Sequence, residues 1–325
     1  MPKDIAHVTI AKKVFENLPK NSVFGSAAER YYYLFLYGSV VPDIPFYYVA
    51  GPHSAFVQSI SDPLHGTDAK SIYPVLRFLE KREPDRIALA AGILCHIMTD
   101  TFFHPLVYYM AGMDGIHPGA TARHRYFETI LDYHFWSQWK EGQRLFLHDI
   151  RRNLEISGSR LNHLFETFFD IKKDPRKSYF HLAVRLHALS QTLFMNPVLK
   201  GMISFLWERK IGIRDEDAAL FYPTPRPVVI DFFKNPIRYK DPCMGTNHEK
   251  TVDRLVSDVV ETMVFLLGFL EKAYSNGLCP ADILADAALP SIRPCLPTDR
   301  ASFLYWSGLS CLTPLFFKNK AQNCI

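Results

Sequence analysis

The sequence is thin in cysteine chemistry. Its six cysteines, Cys95, Cys243, Cys279, Cys295, Cys311 and Cys324, form no CxxC pair. That spacing excludes thiolate zinc ribbons and the density is too low for a small disulfide scaffold, so reduced thiols in a cytosolic protein are expected. No apolar run reaches the roughly 20 residues that span a bilayer. The nearest approach, Phe303 to Phe317, is broken by Ser307, Ser310, Thr313 and Pro314; it reads as a buried C-terminal helix followed by a turn, with peripheral contact at a membrane surface allowed. The N-terminus also lacks the basic, apolar and small-residue succession of a signal peptide, because Asp4 and His7 interrupt it and Lys12 and Lys13 follow. A cytoplasmic location, with membrane association allowed, is the expectation. Long runs of one charge are absent too. The 37 basic and 33 acidic residues leave a formal charge of +4, enough for mild attraction to anionic lipid or phosphate, and no specific nucleic-acid binding is expected. There is no internal repeat and no low-complexity tract, which excludes solenoids and tail-mediated binding.

What is present is a globular composition, with 48% hydrophobic and 22% charged residues over 325 positions, sufficient to bury a sizeable core. Apolar residues recur at helical spacing in Ile5 to Leu18, Arg86 to Met110, Thr121 to Lys140, Gly142 to Phe169, Ser178 to Lys210 and Lys250 to Tyr274. Alternating strand patterns are scarce, so the class is all-α. Breakers such as Pro42, Pro45, Gly51-Pro52, Pro84, Pro118-Gly119 and Asp174-Pro175 punctuate the helices. The Pro-rich stretch Phe221 to Asp241 reads as an irregular crossing loop. Two regions, 1–140 and 141–325, are expected to pack on one core as a single domain.

Chemistry concentrates in the first region. The segment from Ala90 to Pro105 places His96, Asp100 and His104 at i, i+4 and i+8, along one helix face in steps of about 6 Å. His124 and Glu128 repeat the i, i+4 pairing, which lets an imidazole and a carboxylate reach one ion. Either motif alone also fits a hydrogen-bonded core histidine beside a surface carboxylate. The apolar setting of the triple, with Ile93, Leu94, Ile97, Phe102 and Phe103 around it, argues for a metal or other partner, since charge there is costly alone. Two such faces meeting across a bundle would enclose a multinuclear site.

In order, His7, Asp43, His65, His96, Asp100, His104, His124 and Glu128 resemble the zinc-ligand series of the zinc-dependent phospholipase C family, with the local contexts AHVTIAKK, GSVVPDIP and DPLHG around the first three. A weaker likeness continues to the stretch Asp241 to Gly245. The resemblance implies a multi-helix phospholipase C and P1 nuclease-like bundle with irregular loops. It further implies that Asp43, His65, His96 and Asp100 hold one Zn²⁺, that His104, His124 and Glu128 hold a second, and that Asp100 bridges to a third on His7, giving two or three ions in all. A zinc with three protein ligands keeps a position open for water or substrate, which suits hydrolysis of a phospholipid or another phosphoester. By the same resemblance Asp43 stands beside the attacking water as general base; a carboxylate that only ligates is the other reading. Removal of Met1 would expose the amine of Pro2 as a further donor.

Other residues carry less. His53 and His117 lie in Gly/Pro loops and read as solvated, His134 is off the i, i+4 register, and the His148-Asp149 pair lacks companion spacing. Asp132, four beyond Glu128, reads as a carboxylate orienting a ligand histidine. The aromatic run from Tyr31 to Phe35, with Phe46, Tyr47 and Tyr48, reads as core packing. The choline-phospholipid members of the resembled family place tyrosine after the carboxylate corresponding to Asp43, where this chain has Ile44, so a choline-specific pocket is not implied. Two further readings stand: a single-strand nuclease-like phosphodiesterase, and a non-enzymatic scaffold stapled by metal that binds a membrane or protein.

Overall fold

Helix follows helix through almost all of the residues that the computed structural model describes, 4–48, 51–65, 72–112, 117–139, 145–222, 232–242 and 245–276. The elements are α1 (Asp4–Asn17), α2 (Val23–Arg30), α3 (Tyr32–Gly38), a 3₁₀ turn (Val41–Tyr47), α4 (Ser54–Ser59), a second 3₁₀ turn (Asp62–Leu64), α5 (Tyr73–Leu79), α6 (Pro84–Ala111), α7 (Ala120–Ser137), α8 (Leu147–Arg152), α9 (Gly158–Phe168), α10 (Lys177–Met195), α11 (Pro197–Glu208), α12 (Asp215–Ala218), β1 (Ile237–Lys240), β2 (Asn247–Lys250) and α13 (Val252–Ser275). The expected all-α class holds, and the molecule is an irregular multi-helix bundle. The two short strands pair antiparallel, Ile237 opposite Lys250 and Lys240 opposite Asn247.

Helix α6 is the axis. Pro84 opens it at the first position, where a missing N–H costs nothing, and Gly112 closes it at φ 80°. It is apolar on all sides, as a helix surrounded by protein must be. Its length and composition would suit a membrane span, but 89% of its most apolar window is buried inside the protein. Helices α1, α2, α3, α5, α7, α13 and strand β1 all pack on it. Residues of α9, α10 and α13 join those of α1 to α7 in one apolar cluster. The start of α6 is also tethered: Arg160 on α9 donates to both oxygens of Asp85 at 2.7 and 3.0 Å and to Glu83.

Gly38 and Gly92 make a close crossing on α6. A Cβ at Gly92 would lie 2.1 Å from the carbonyl oxygen of Phe35 and 2.8 Å from Gly38 Cα, distances that only backbone movement can relieve. Gly92→Ala is therefore expected to destabilise the fold by about 3 kcal/mol through overpacking. Because the ligand-type residues lie only a turn away, metal content should fall with it. Urea unfolding of the metal-free variant checks the first effect, and an unchanged midpoint would contradict it.

Two helices expected from periodicity are broken. The pattern from Gly142 to Phe169 divides into α8 and α9, where the Ser157 side chain accepts from Arg160 N and starts a new helix. The pattern from Ser178 to Lys210 divides at Asn196, whose side chain accepts from Val198 N and Leu199 N at 2.9 and 3.1 Å. Pro197 drives this break, since the residue before proline is held extended, here at φ −71° and ψ 119°. The stretch from Phe221 to Asp241 ends in strand β1, its residues 223–231 lying outside the described residues, as does the segment from Phe303 to Phe317.

Candidate metal centre

Five separate pieces of chain bring the eight ligand-type residues together. Helix α1 carries His7, the 3₁₀ turn carries Asp43, the end of the second 3₁₀ turn carries His65, α6 carries His96, Asp100 and His104, and α7 carries His124 and Glu128. The i, i+4, i+8 register keeps the α6 triple on one face, and α1 and α7 pack against α6. Pro42 and Pro45 fix the tight turn around Asp43, and the Ser61 hydroxyl donates to the Pro42 carbonyl, tying the His65 loop to that turn. Of the eight residues all are buried but His65, which is half-buried.

Asp100 is the hub. Its Oδ1 lies 3.4 Å from His7 Nε2 and 3.6 Å from His104 Nε2, and its Oδ2 lies 3.3 Å from His96 Nε2. Asp43 Oδ1 lies 3.2 Å from His65 Nε2 and 3.8 Å from His96 Nε2. His124 Nε2 and Glu128 Oε1 are 2.6 Å apart. Three groups result, each with its donor atoms within 4.8 Å of one another: His7, His96 and Asp100; Asp43, His65 and His96; and His104, His124 and Glu128. Zinc with ligands near 2.1 Å in a tetrahedron spaces its donors by roughly 3.4 Å. Most of the observed separations around Asp43 and Asp100 match that edge.

The polar atoms of these groups are arranged as a metal would need them. His96 Nδ1 donates to the Ser39 carbonyl at 2.9 Å, and His65 Nδ1 donates to the Ser61 carbonyl at 3.0 Å. A carbonyl can only accept, so in each neutral ring Nε2 is the lone-pair nitrogen, and it faces a carboxylate oxygen. Acceptor opposite acceptor is repulsive unless a proton or a metal cation sits between them. His7 Nδ1 and Nε2, His104 Nδ1 and Nε2, His96 Nε2 and Asp100 Oδ1 are all buried and make no hydrogen bond within the described residues. A buried polar atom without a partner carries a cost of about 1 to 3 kcal/mol; Nε2 of His7, His96 and His104 and Oδ1 of Asp100 lie around one point and call for an exogenous cation. Imidazole and carboxylate donors, with no thiolate among them, suit zinc.

Electrostatics agrees. Burial opposes ionisation of Asp43, but His96 and His65 outweigh it and hold the carboxyl well below the usual range. Asp100 is likewise held low against its burial by His104 and His96, and Glu128 by His124. Burial also opposes charge on His96, yet Asp100 and Asp43 push it up to about 9. Burial drives His104 down to about 4 and, with His96 stacked on it at 4.1 Å, lowers His7. The carboxylates are thus ionised, and a divalent cation would replace the proton that His96 otherwise carries.

A supporting layer lies behind α1. The Asp132 oxygens accept from Ile5 N at 3.1 Å, Ala6 N at 2.7 Å and the Tyr222 hydroxyl at 2.5 Å. A carboxylate on the orphan N–H groups of a first turn is favoured by hydrogen bonding and by the helix dipole. It fixes α1 one and two residues before His7. Asp4 accepts from buried His187 at 2.8 Å, tying α10 to the same turn, and the ring of Tyr47 lies 4.4 Å from that of His187. Asp132→Asn is expected to loosen α1 and to weaken metal retention about 10- to 100-fold. Competition with a graded chelator measures this, and parent-like retention would show that α1 is held by other contacts.

Among the described residues, none of the other candidates joins the three donor groups. His53 sits in a loop against Tyr179, His134 pairs with Gln138, and His148 lies by Asp149 on the surface. Tyr37, Phe35 and Ile44 are core residues with no exposure. Pro2 is outside the described residues.

Neither a curated protein nor a solved structure matches the chain. A family model described as zinc dependent phospholipase C matches residues 6–178. That span is more than half of the chain and contains all eight ligand-type residues and the three groups that they form, while the stretch from Asp241 to Gly245 falls beyond it. The chain therefore belongs to the zinc-dependent phospholipase C family, and its buried donor groups are those of a zinc-dependent phosphodiester hydrolase.

Proposed function

We propose that the protein cleaves phospholipids at the phosphodiester, releasing a diacylglycerol and a phosphorylated head group. The observation that supports this reading is the convergence of three donor groups on Asp100, with imidazole nitrogens left free of hydrogen bonds in a buried setting. Asp43, His65, His96 and Asp100 would hold one zinc, His104, His124 and Glu128 a second, and His7 with Asp100 a third. When bound, the metal supplies Lewis acidity, acidifying water toward neutral pH and neutralising the phosphoryl oxygens.

The chain's own residues do the rest. Ser39 and Ser61 carbonyls fix the tautomers of His96 and His65, so that Nε2 of each points inward. Asp100 spreads one carboxylate over three imidazoles. Asp43 stands beside His65, the most exposed of the eight, whose side chain is 15% accessible. We assign it the proton of the attacking water; its lowered pKa keeps it ionised but makes it a weak base, so its share of the rate lies at the lower end of general-base effects, about 100-fold.

Metal analysis of untagged protein, combined with hydrolysis of phospholipid, single-stranded DNA and a chromogenic phosphodiester, tests the reading. Two or three zinc ions with lipid cleavage are expected. Preference for DNA would replace the substrate class, and bound zinc with no turnover on any of the three would replace the activity with a structural role.

A further inference from the structure

A buried imidazole that belongs to none of the three donor groups stands behind two of them. His187, in the middle of α10, has no exposure, and its Nε2 lies 2.8 Å from Oδ1 of Asp4, which is also buried. Asp4 opens α1 and precedes His7 by three residues, so the two side chains stand on one side of that helix, a turn apart. The His187 ring also lies 4.4 Å from the ring of Tyr47, the last residue of the 3₁₀ turn that carries Asp43. Helix α10 packs on that turn and on α8, where Gln191, one turn after His187, accepts from Leu147 N at 2.8 Å. It reaches α1 through the His187–Asp4 pair. One side chain therefore bears on the elements of both His7 and Asp43. His7 belongs to the group with His96 and Asp100, and Asp43 to the group with His65 and His96, so these two groups meet at His96. The third group, His104, His124 and Glu128, is carried by α6 and α7 alone.

Stability is a poor account of the pair. His187 Nδ1 is buried and makes no hydrogen bond among the described residues, a deficit that the bond to Asp4 has to offset. A buried pair of this kind can often be exchanged for apolar side chains of similar volume without loss of stability, whereas removing one partner alone is costly. What an apolar pair cannot do is fix direction. A hydrogen bond is short and angular, so it sets where the first turn of α1 lies relative to α10. Asp132 holds the same turn from α7 through Ile5 N and Ala6 N. Held from two sides, α1 keeps His7 Nε2 at 3.4 Å from Asp100.

We infer that His187 is a positioning residue of the metal centre: through Asp4 and the Tyr47 ring it sets the separation of His7 from Asp43, and with it the hold on metal of the two groups that meet at His96. The inference rests on the zinc assignment above and not on the phospholipid substrate, so it is read from metal release and not from turnover. Full-length untagged protein loaded with zinc is titrated with a graded chelator, and zinc per chain is followed. The double variant Asp4→Leu, His187→Phe keeps a ring against Tyr47 and leaves neither partner of the pair buried alone. Its metal-free melting temperature should equal that of the metal-free parent, while at least one zinc per chain leaves at roughly tenfold lower chelator concentration. The zinc on His104, His124 and Glu128 should stay as firmly as in the parent. His187→Gln, whose amide N–H can still reach Asp4, should keep most of the retention, and His187→Phe alone, which strips Asp4 of its donor, should not. Parent-like release of every ion by the double variant would overturn the inference. So would looser binding of all ions together with a lower metal-free melting temperature, since His187 would then only hold the fold together. A parent that binds no zinc would remove the zinc assignment and the inference with it. Zinc release of the expected pattern without cleavage of phospholipid would leave His187 in its role and remove only the substrate.

Discussion

Asp100→Asn is expected to abolish turnover, by on the order of 1,000-fold or more, and to strip zinc from more than one position. The size follows from geometry, because Oδ1 faces His7 and His104 at 3.4 and 3.6 Å while Oδ2 faces His96 at 3.3 Å. Asparagine keeps the shape but loses the charge and turns one oxygen into a donor. An amide N–H can hydrogen-bond the lone pair of a neutral imidazole, but in the metal-free protein the substitution also takes from protonated His96 the carboxylate that supports its charge, so part of the stability should be lost. What it cannot do is neutralise a dication. The test is zinc per chain, phosphodiester turnover and melting temperature with and without chelator. The expected pattern is low zinc, no turnover and a metal-free melting temperature somewhat below that of the metal-free parent. Full zinc with near-normal turnover would remove Asp100 from the centre of the site. His96→Ala and His104→Ala should move in the same direction, each through one lost imidazole.

That carboxylate was legible in the sequence because a helix has only one register. Given α6 as a helix, His96, Asp100 and His104 must share a face, and His124 and Glu128 likewise on α7. His7, Asp43 and His65 are different. Each sits on a separate element, so nothing in their spacing says that they converge, and family resemblance alone brought them into the set. The contacts behind them left no local trace at all. Asp4 and His187 are 183 positions apart, and Asp132 accepts from Ile5 N and Ala6 N, 127 and 126 positions away across the α1–α7 interface. The helix breaks are a third case. Asn196-Pro197 is a local signal for an N-cap, but apolar periodicity on both sides outweighed it. Helix α3 escaped notice for the opposite reason, since the run from Tyr32 to Tyr37 is apolar at every position and so has no period.

For Asp43 the expected result is a split between metal and rate. Asp43→Asn should lower turnover by about 100-fold and lower zinc content less than Asp100→Asn does. The neighbouring donors explain the second half: His65 and His96 keep their carbonyl-fixed orientation through Ser61 and Ser39, and Asp100 remains beside His96. The first half depends on Asp43 taking the proton of water. Its pKa is depressed in the folded protein, so the carboxylate is ionised above that value and gains its proton only as pH falls below the usual carboxylate range near 4. Any limb in kcat/KM that Asp43 causes must lie in that acidic region, and it should be missing from the Asn variant. A limb near neutral pH present in both proteins belongs to another group. Zinc content, kcat/KM and its pH profile, measured on the same preparations, separate the roles. If zinc and turnover fall in parallel, and the acidic limb persists in the variant, Asp43 is a ligand only and the proton goes elsewhere.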